Sequence, residues 1–279
     1  MKKWIALVLA MLLLASASAE PNMFAYMREG GFSFFTVDGC SEWVSLRKDP
    51  STKSERILKI PKGAMVWSLG EAENGFWKVN YASTSGYVLR KYLHERREDY
   101  HTAMYAADCR EWVSLRRGAD TTTERLDKIP LNQSVLAMCY GFVGEKKNMV
   151  RVQYGGREGF VNADYLSFLP QNGSVPIASA RMTVYDRGRN MHTQIVTDEA
   201  ELRKLAKLIS SAEPGEFGKC PLGGLLEIRT WNDTLYFTVP LDGCGALIAP
   251  NYCIYMLETK EMNALWQIFD EAWQVNINS

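Results

Sequence analysis

The residues of this chain best suited to nucleophilic or metal chemistry are its six cysteines and three histidines, and their spacing argues against both uses. No two cysteines stand as Cys-x-x-Cys, and His94, His101 and His192 lie apart, so neither a metal site nor a cofactor is expected. Cys244, in Asp242-Gly243-Cys244-Gly245, is the cysteine to test as a nucleophile. Such a thiol needs a base to take its proton, normally a histidine, and none follows Cys244. His192 precedes it, falls in a predicted strand and reads as a surface residue. Gly-x-Ser-x-Gly, His-Glu-x-x-His and Walker-type phrases do not occur.

Binding chemistry has a better candidate. Cys-Ser-Glu-Trp-Val-Ser-Leu-Arg occupies residues 40 to 47, and the same phrase with one change returns at 109 to 116. Across 40 to 61 and 109 to 130 the two stretches are identical at 13 of 22 positions, which marks a duplicated unit. The match resumes at Tyr81, Gly86, Val88, Tyr92 and Leu93, which correspond to Tyr154, Gly159, Val161, Tyr165 and Leu166. The four extra residues of the second copy fall around Gly144 to Asn148, where turn chemistry tolerates insertion.

Within each copy the pattern has the period of a strand. Val44 and Leu46 share one face while Trp43, Ser45 and Arg47 share the other. With Val44 and Leu46 inward, Trp43 and Arg47 point out, and Trp112 and Arg116 repeat the arrangement. An outward Trp beside an Arg can stack on a sugar or peptide face and hydrogen-bond a carboxylate; alternatively each Trp covers an edge of its own module. Tyr87 and Phe160 are further binding candidates, and their strands also suit a core position. Short strands separated by turns predict a small barrel or sandwich of about five strands for each copy.

Together these phrases resemble bacterial SH3 domains. The first copy supplies Val44 to Arg47, Lys62-Gly63-Ala64-Met65-Val66, Trp77-Lys78-Val79-Asn80-Tyr81, Gly86-Tyr87-Val88 and Tyr92-Leu93. The second supplies Val113 to Arg116, Gly159-Phe160-Val161 and Tyr165-Leu166. It departs from the pattern at Asn132, where a turn glycine is expected, and at Val150-Arg151-Val152, where a Trp-x-Lys-Val strand is expected. The resemblance implies tandem modules of an exported bacterial protein that bind peptidoglycan or another wall polymer without cleaving it. An adaptor that binds a peptide or another exported protein is the alternative, and a wall hydrolase lacking a familiar motif is the third.

The N-terminus fits export. Lys2 and Lys3 precede the uninterrupted apolar run Trp4 to Ala15, and Ala17-Ser18-Ala19 is a small-x-small cleavage site, so a signal peptide over 1–19 is expected. The apolar run is too short to span a bilayer, and a secreted or wall-associated protein without a membrane anchor is expected. The 32 basic residues balance the 32 acidic ones, so bulk charge gives no reason to expect nucleic acid as a partner. Modules over 35–94 and 104–169 are joined by the mixed-charge connector His94 to His101.

After Leu169 the linker Pro170 to Pro176 opens a different segment, 176–279. Its pattern predicts an antiparallel sheet with two helices, one capped by Asp198 and one beginning near Thr259. The fold class expected for the whole chain is therefore two small all-β SH3-like barrels followed by an α+β domain. If Asn232-Asp233 is a two-residue turn, Cys220 falls one step from Cys244, giving a preferred disulfide worth about 3 kcal/mol. Cys109 and Cys139 form a second, tentative pair; Cys40 and Cys253 have no assigned partner.

Overall fold

In the computed structural model of the protein, the residues described are 34–95, 102–138, 148–171, 177–186, 188–215, 222–230, 234–241, 244–249 and 254–277. The expected leader, most of the connector, the insertion loop, the Asn232-Asp233 turn, Cys139, Cys220 and Cys253 lie outside them. The described residues form three antiparallel sheets and a few helices, a mostly β architecture.

The first sheet comprises β1 (Phe34–Val37), β2 (Trp43–Arg47), β3 (Arg56–Pro61), β4 (Met65–Glu71), β5 (Phe76–Tyr81), β6 (Thr84–Leu89) and β7 (Leu93–Glu95). The second comprises β8 (Thr102–Ala106), β9 (Trp112–Arg116), β10 (Arg125–Pro130), β11 (Ser134–Ala137), β12 (Met149–Tyr154), β13 (Arg157–Asn162) and β14 (Leu166–Ser167). Their orders are β3-β2-β6-β5-β4-β1-β7 and β10-β9-β13-β12-β11-β8-β14, so every strand of one sheet has its counterpart at the same place in the other. The sequence repeat is thus a structural repeat. Each sheet has seven strands and an open order, whereas closed five-stranded barrels were expected; β1 and β8, which precede the repeated phrases, and the short β7 and β14 make the difference.

Alternation in β2 and β9 is as the sequence requires. Val44, Leu46, Val113 and Leu115 are buried while the Trp, Ser and Arg between them are half-buried. β2 meets β6 at a single residue pair, Arg47 with Tyr87, and β9 meets β13 through Arg116 with Phe160. A Cβ on Gly86 would lie 2.7 Å from the Arg47 carbonyl oxygen, and one on Gly159 would lie 2.5 Å from that of Arg116. Only glycine lets the strands approach this closely, which accounts for its presence in both copies.

The third sheet contains β15 (Ile177–Tyr185), β16 (Met191–Val196), β17 (Glu213–Pro214), β18 (Leu222–Thr230), β19 (Thr234–Pro240), β20 (Ala246–Ile248) and β21 (Ile254–Met256), in the order β16-β15-β18-β19-β20-β21-β17. Helix α1 (Glu199–Ser211) begins where Asp198 accepts hydrogen bonds from the N–H groups of Ala200 and Glu201, and it buries Leu202, Leu205 and Ile209. The single closing helix expected from the sequence is two, α2 (Thr259–Ile268) and α3 (Asp270–Ile277), with Phe269 leaving helical geometry between them. The β18–β19 register also departs from expectation. Arg229 pairs with Thr234, so the turn is two residues longer than Asn232-Asp233 alone. A slip of two keeps every side chain on its expected face.

This third sheet packs on both repeats. The Tyr185 hydroxyl donates to the Lys59 carbonyl at 2.6 Å, and its ring meets Tyr81 edge-on at 5.7 Å. Phe168, just after β14, packs edge-on against Phe237 at 4.8 Å and Tyr255 at 4.6 Å, so the core of the second copy continues into the third segment. Tyr236 lies against Gly63, whose φ is +86° and whose missing Cβ would fall 2.4 Å from the ring. Asn132 occupies the equivalent turn with φ +62°, a conformation Asn tolerates, and accepts the Gln171 N–H at 2.9 Å. The departure from glycine is therefore conservative in backbone and reassigned in contact.

Replacing Gly63 with Ala is expected to destabilise the protein by roughly 1–3 kcal/mol, through left-handed backbone strain and the displaced Tyr236 ring. Tyr236→Ala in the same chain should relieve the steric part only, which denaturant midpoints of the single and double variants would reveal. A second expectation concerns Asp186, which accepts from Asn190 and contacts His192 at 3.0 Å. These hydrogen bonds, His192 first, lower its pKa to about 2. Because the folded value is depressed, the contribution is present above the ordinary carboxylate range and lost as pH falls toward 2. Asp186→Ala should lower the melting temperature at pH 7 and have little effect near pH 2.

Candidate functional site

Each repeat carries the same groove beside its WVSLR strand. The first has a volume of about 460 Å³ and is lined by Cys40, Trp43, Ser45, Arg47 and Tyr92 among others. The second, about 510 Å³, is lined by the counterparts Cys109, Trp112, Ser114, Arg116 and Tyr165. Strand alternation produces this directly, since the residues that do not face the core are those left to face the groove.

The expected binding residues are brought together in pairs. Trp43 and Trp112 are half-buried groove walls, and Tyr87 and Phe160, also half-buried, stand opposite Arg47 and Arg116 on the neighbouring strand. Neither aromatic ring is in the core. The arginines have a structural duty as well. Arg47 Nη1 donates to the Ser54 carbonyl and Arg116 Nη1 to the Thr123 carbonyl, both at 2.6 Å, pinning the polar arm that joins β2 to β3 and β9 to β10. Asp49 and Ser54 stiffen the first arm with a 3.0 Å hydrogen bond, and Thr123 donates to the Asp120 carbonyl at 2.8 Å in the second.

Four cations complete the two sites and were not among the residues expected. Lys59 Nζ lies 4.5 Å and the Arg56 guanidinium 5.2 Å from the centre of the Trp43 ring. Lys128 and Arg125 lie 4.3 and 5.0 Å from that of Trp112. Each Trp is thus a platform for two positive charges. The signal was present in the sequence, because both cations are among the positions identical between the copies.

The cysteines divide by location. Cys40 and Cys109 are free thiols, and burial pushes both pKa values up, so neither is an activated thiolate. The tentative Cys109–Cys139 bridge is therefore not formed. Its failure follows from strand order: β11, which leads toward position 139, pairs with β12 and β8 and is three places removed from β9. Cys244 is disulfide-bonded. A sulfur held in a disulfide is no nucleophile, which removes the one cysteine phrase that could have suggested catalysis. Among the described residues no cluster of three or more His, Cys, Asp or Glu side chains is placed to hold a metal ion.

Comparison with known proteins agrees with the first copy's resemblance. Residues 44–94 match the family described as "Bacterial SH3 domain". No curated protein matches the chain. Among solved structures, NlpC2 from Trichomonas vaginalis is similar over 49% of this chain at 17% identity and a TM-score of 0.26. The chain spans 47% of the length of that protein. NlpC1 from the same organism is similar over 86% of this chain and 90% of its own, at 13% identity and a TM-score of 0.28. Likenesses at these scores carry no argument about fold or activity.

If the arginine struts organise the arms, Arg47→Ala should cost about 1 kcal/mol and speed amide exchange across residues 48 to 55 more than in the core strands. Arg116→Ala should do the same for 117 to 124. Hydrogen-exchange mass spectrometry of the two variants checks both.

Proposed function

We propose that the chain is a non-catalytic exported envelope protein whose two repeats, each a small SH3-like module, bind peptidoglycan or another wall polymer. The observation that carries this reading is duplication of the groove. A structural need for Val and Leu inside β2 and β9, and for the arginine struts, does not require the same Trp, Ser and flanking cations on the outer face of both copies. The family match over residues 44–94 supports the substrate class, and the N-terminal leader pattern supports export. The third segment is proposed as an α+β mount that packs on both modules, with Cys220 as the partner of Cys244.

Two weak sites on one chain reinforce each other when the ligand is a polymer that offers many copies of one epitope. Mature protein mixed with insoluble peptidoglycan sacculi should therefore sediment with them. Trp43→Ala or Trp112→Ala alone should weaken retention roughly 100-fold, because avidity disappears with either site, and the double variant should not be retained above background. Wild-type protein that stays in the supernatant would overturn the reading in favour of an adaptor for exported proteins. Sacculi whose turbidity falls with time would overturn it in favour of a hydrolase.

A further inference from the structure

Strand register aligns one row of side chains across each repeat. In the first copy Arg56 pairs with Arg47, Arg47 with Tyr87, and Tyr87 with Lys78. In the second copy the row is Arg125, Arg116, Phe160 and Arg151. Both read cation, cation, aromatic, cation. Lys59 and Lys128, pinned over the Trp rings, flank these rows on the same face, since Lys59 pairs with Ser45 and Lys128 with Ser114.

Like charges directly opposite on neighbouring strands are destabilising, so the arrangement is unfavourable for folding alone. It is also built by an irregularity. In both copies the register shifts by one at this point, past Ile57 and past Leu126, and the shift brings Arg56 and Arg125 opposite the strand arginines. Regular pairing would have put an aliphatic side chain there. Bulges occur at sheet edges, where β3 and β10 lie, and next to functional sites, where they re-aim side chains.

Among the described residues, Arg56, Lys59, Arg47 and Lys78 have no carboxylate partner, and neither do Arg125, Lys128 and Arg116. Arg151 is paired with Glu158 at 2.5 Å. The balanced charge of the whole chain, 32 against 32, means that these are not samples of a general basic excess. Cations already sit over the Trp rings, so a sugar face would have to displace them, whereas an anion would join them. The central ring of each row selects further: Phe160 has no hydroxyl and offers carbon only. A ligand spanning the row must present negative groups separated by apolar carbon, which suits an acidic peptide and not a polyphosphate.

We infer that the outer face of each repeat binds the free carboxylates of a peptide chain, with Trp43 and Trp112 acting as platforms for the cations that do so. This rests on the wall-binding reading for its natural ligand, where peptide portions of the wall would supply the carboxylates. Because Arg151 is neutralised by Glu158, the first repeat is the stronger site.

The test uses the full mature chain and soluble poly-L-glutamate, followed by tryptophan fluorescence, with polyphosphate and neutral dextran as comparators. Poly-L-glutamate should bind, and raising salt from about 0.02 M to about 0.2 M should weaken it at least tenfold or so, since screening shortens with ionic strength. Arg56→Gln with Lys59→Gln should cost roughly tenfold, and Arg125→Gln with Lys128→Gln less, as expected for charge pairs at a largely exposed surface. Polyphosphate binding more tightly than poly-L-glutamate would overturn the carboxylate assignment. Sacculi binding that survives both salt and all four substitutions would overturn this inference while leaving the wall-binding reading intact. Poly-L-glutamate binding without sacculi binding would do the reverse.

Discussion

One arginine at the end of a five-residue strand holds each repeat together. Arg47 closes the single pair between β2 and β6, pins the arm through the Ser54 carbonyl, and stands at the centre of the cationic row. Arg116 does the same through Phe160, Thr123 and Arg125. Gly86 and Gly159 follow from the close strand approach at this point, because a side chain at either place would collide with the backbone carbonyl oxygen of position 47 or 116. Arg47 and Arg116 also line the grooves themselves. Strand pairing, arm anchoring and groove lining therefore converge on one residue in each repeat.

The two copies differ most informatively where the third sheet touches them. Gly63 and Asn132 adopt the same left-handed turn, yet one leaves room for Tyr236 and the other holds the linker at Gln171. In the first copy Arg90 lies 5.0 Å from the centre of the Phe35 ring and 5.6 Å from that of Trp77. In the second, the corresponding Val150 and Ala163 are fully buried. Around the groove the Cys, Trp, Ser, Arg and Tyr recur, while Gly39, Ser41, Phe76 and Leu89 are replaced by Asp108, Arg110, Met149 and Asn162.

Local rules made much of this legible. Period-two alternation in Trp43 to Arg47 fixed which side chains face the core, and the Asp198 cap and the burial of Leu202, Leu205 and Ile209 follow from helical spacing. Long-range geometry was less accessible. The β18–β19 turn looked like a two-residue Asn-Asp turn, and nothing in its sequence distinguishes that from the longer connection that pairs Arg229 with Thr234. The Cys109–Cys139 bridge failed because sequence proximity to the next strand says nothing of strand order. Lys59 and Lys128 were overlooked because balanced overall charge conceals a local cluster, although their recurrence in both copies was visible.

The third sheet does more than complete the fold. Through Tyr185 and Tyr236 it grips the first repeat, and through Phe237 and Tyr255 it grips the second. The interval between the two grooves is consequently fixed by packed side chains, as in a caliper whose jaws are locked. Were a polymer to engage both grooves, its repeat length would have to match that interval, and one that did not would leave a jaw empty.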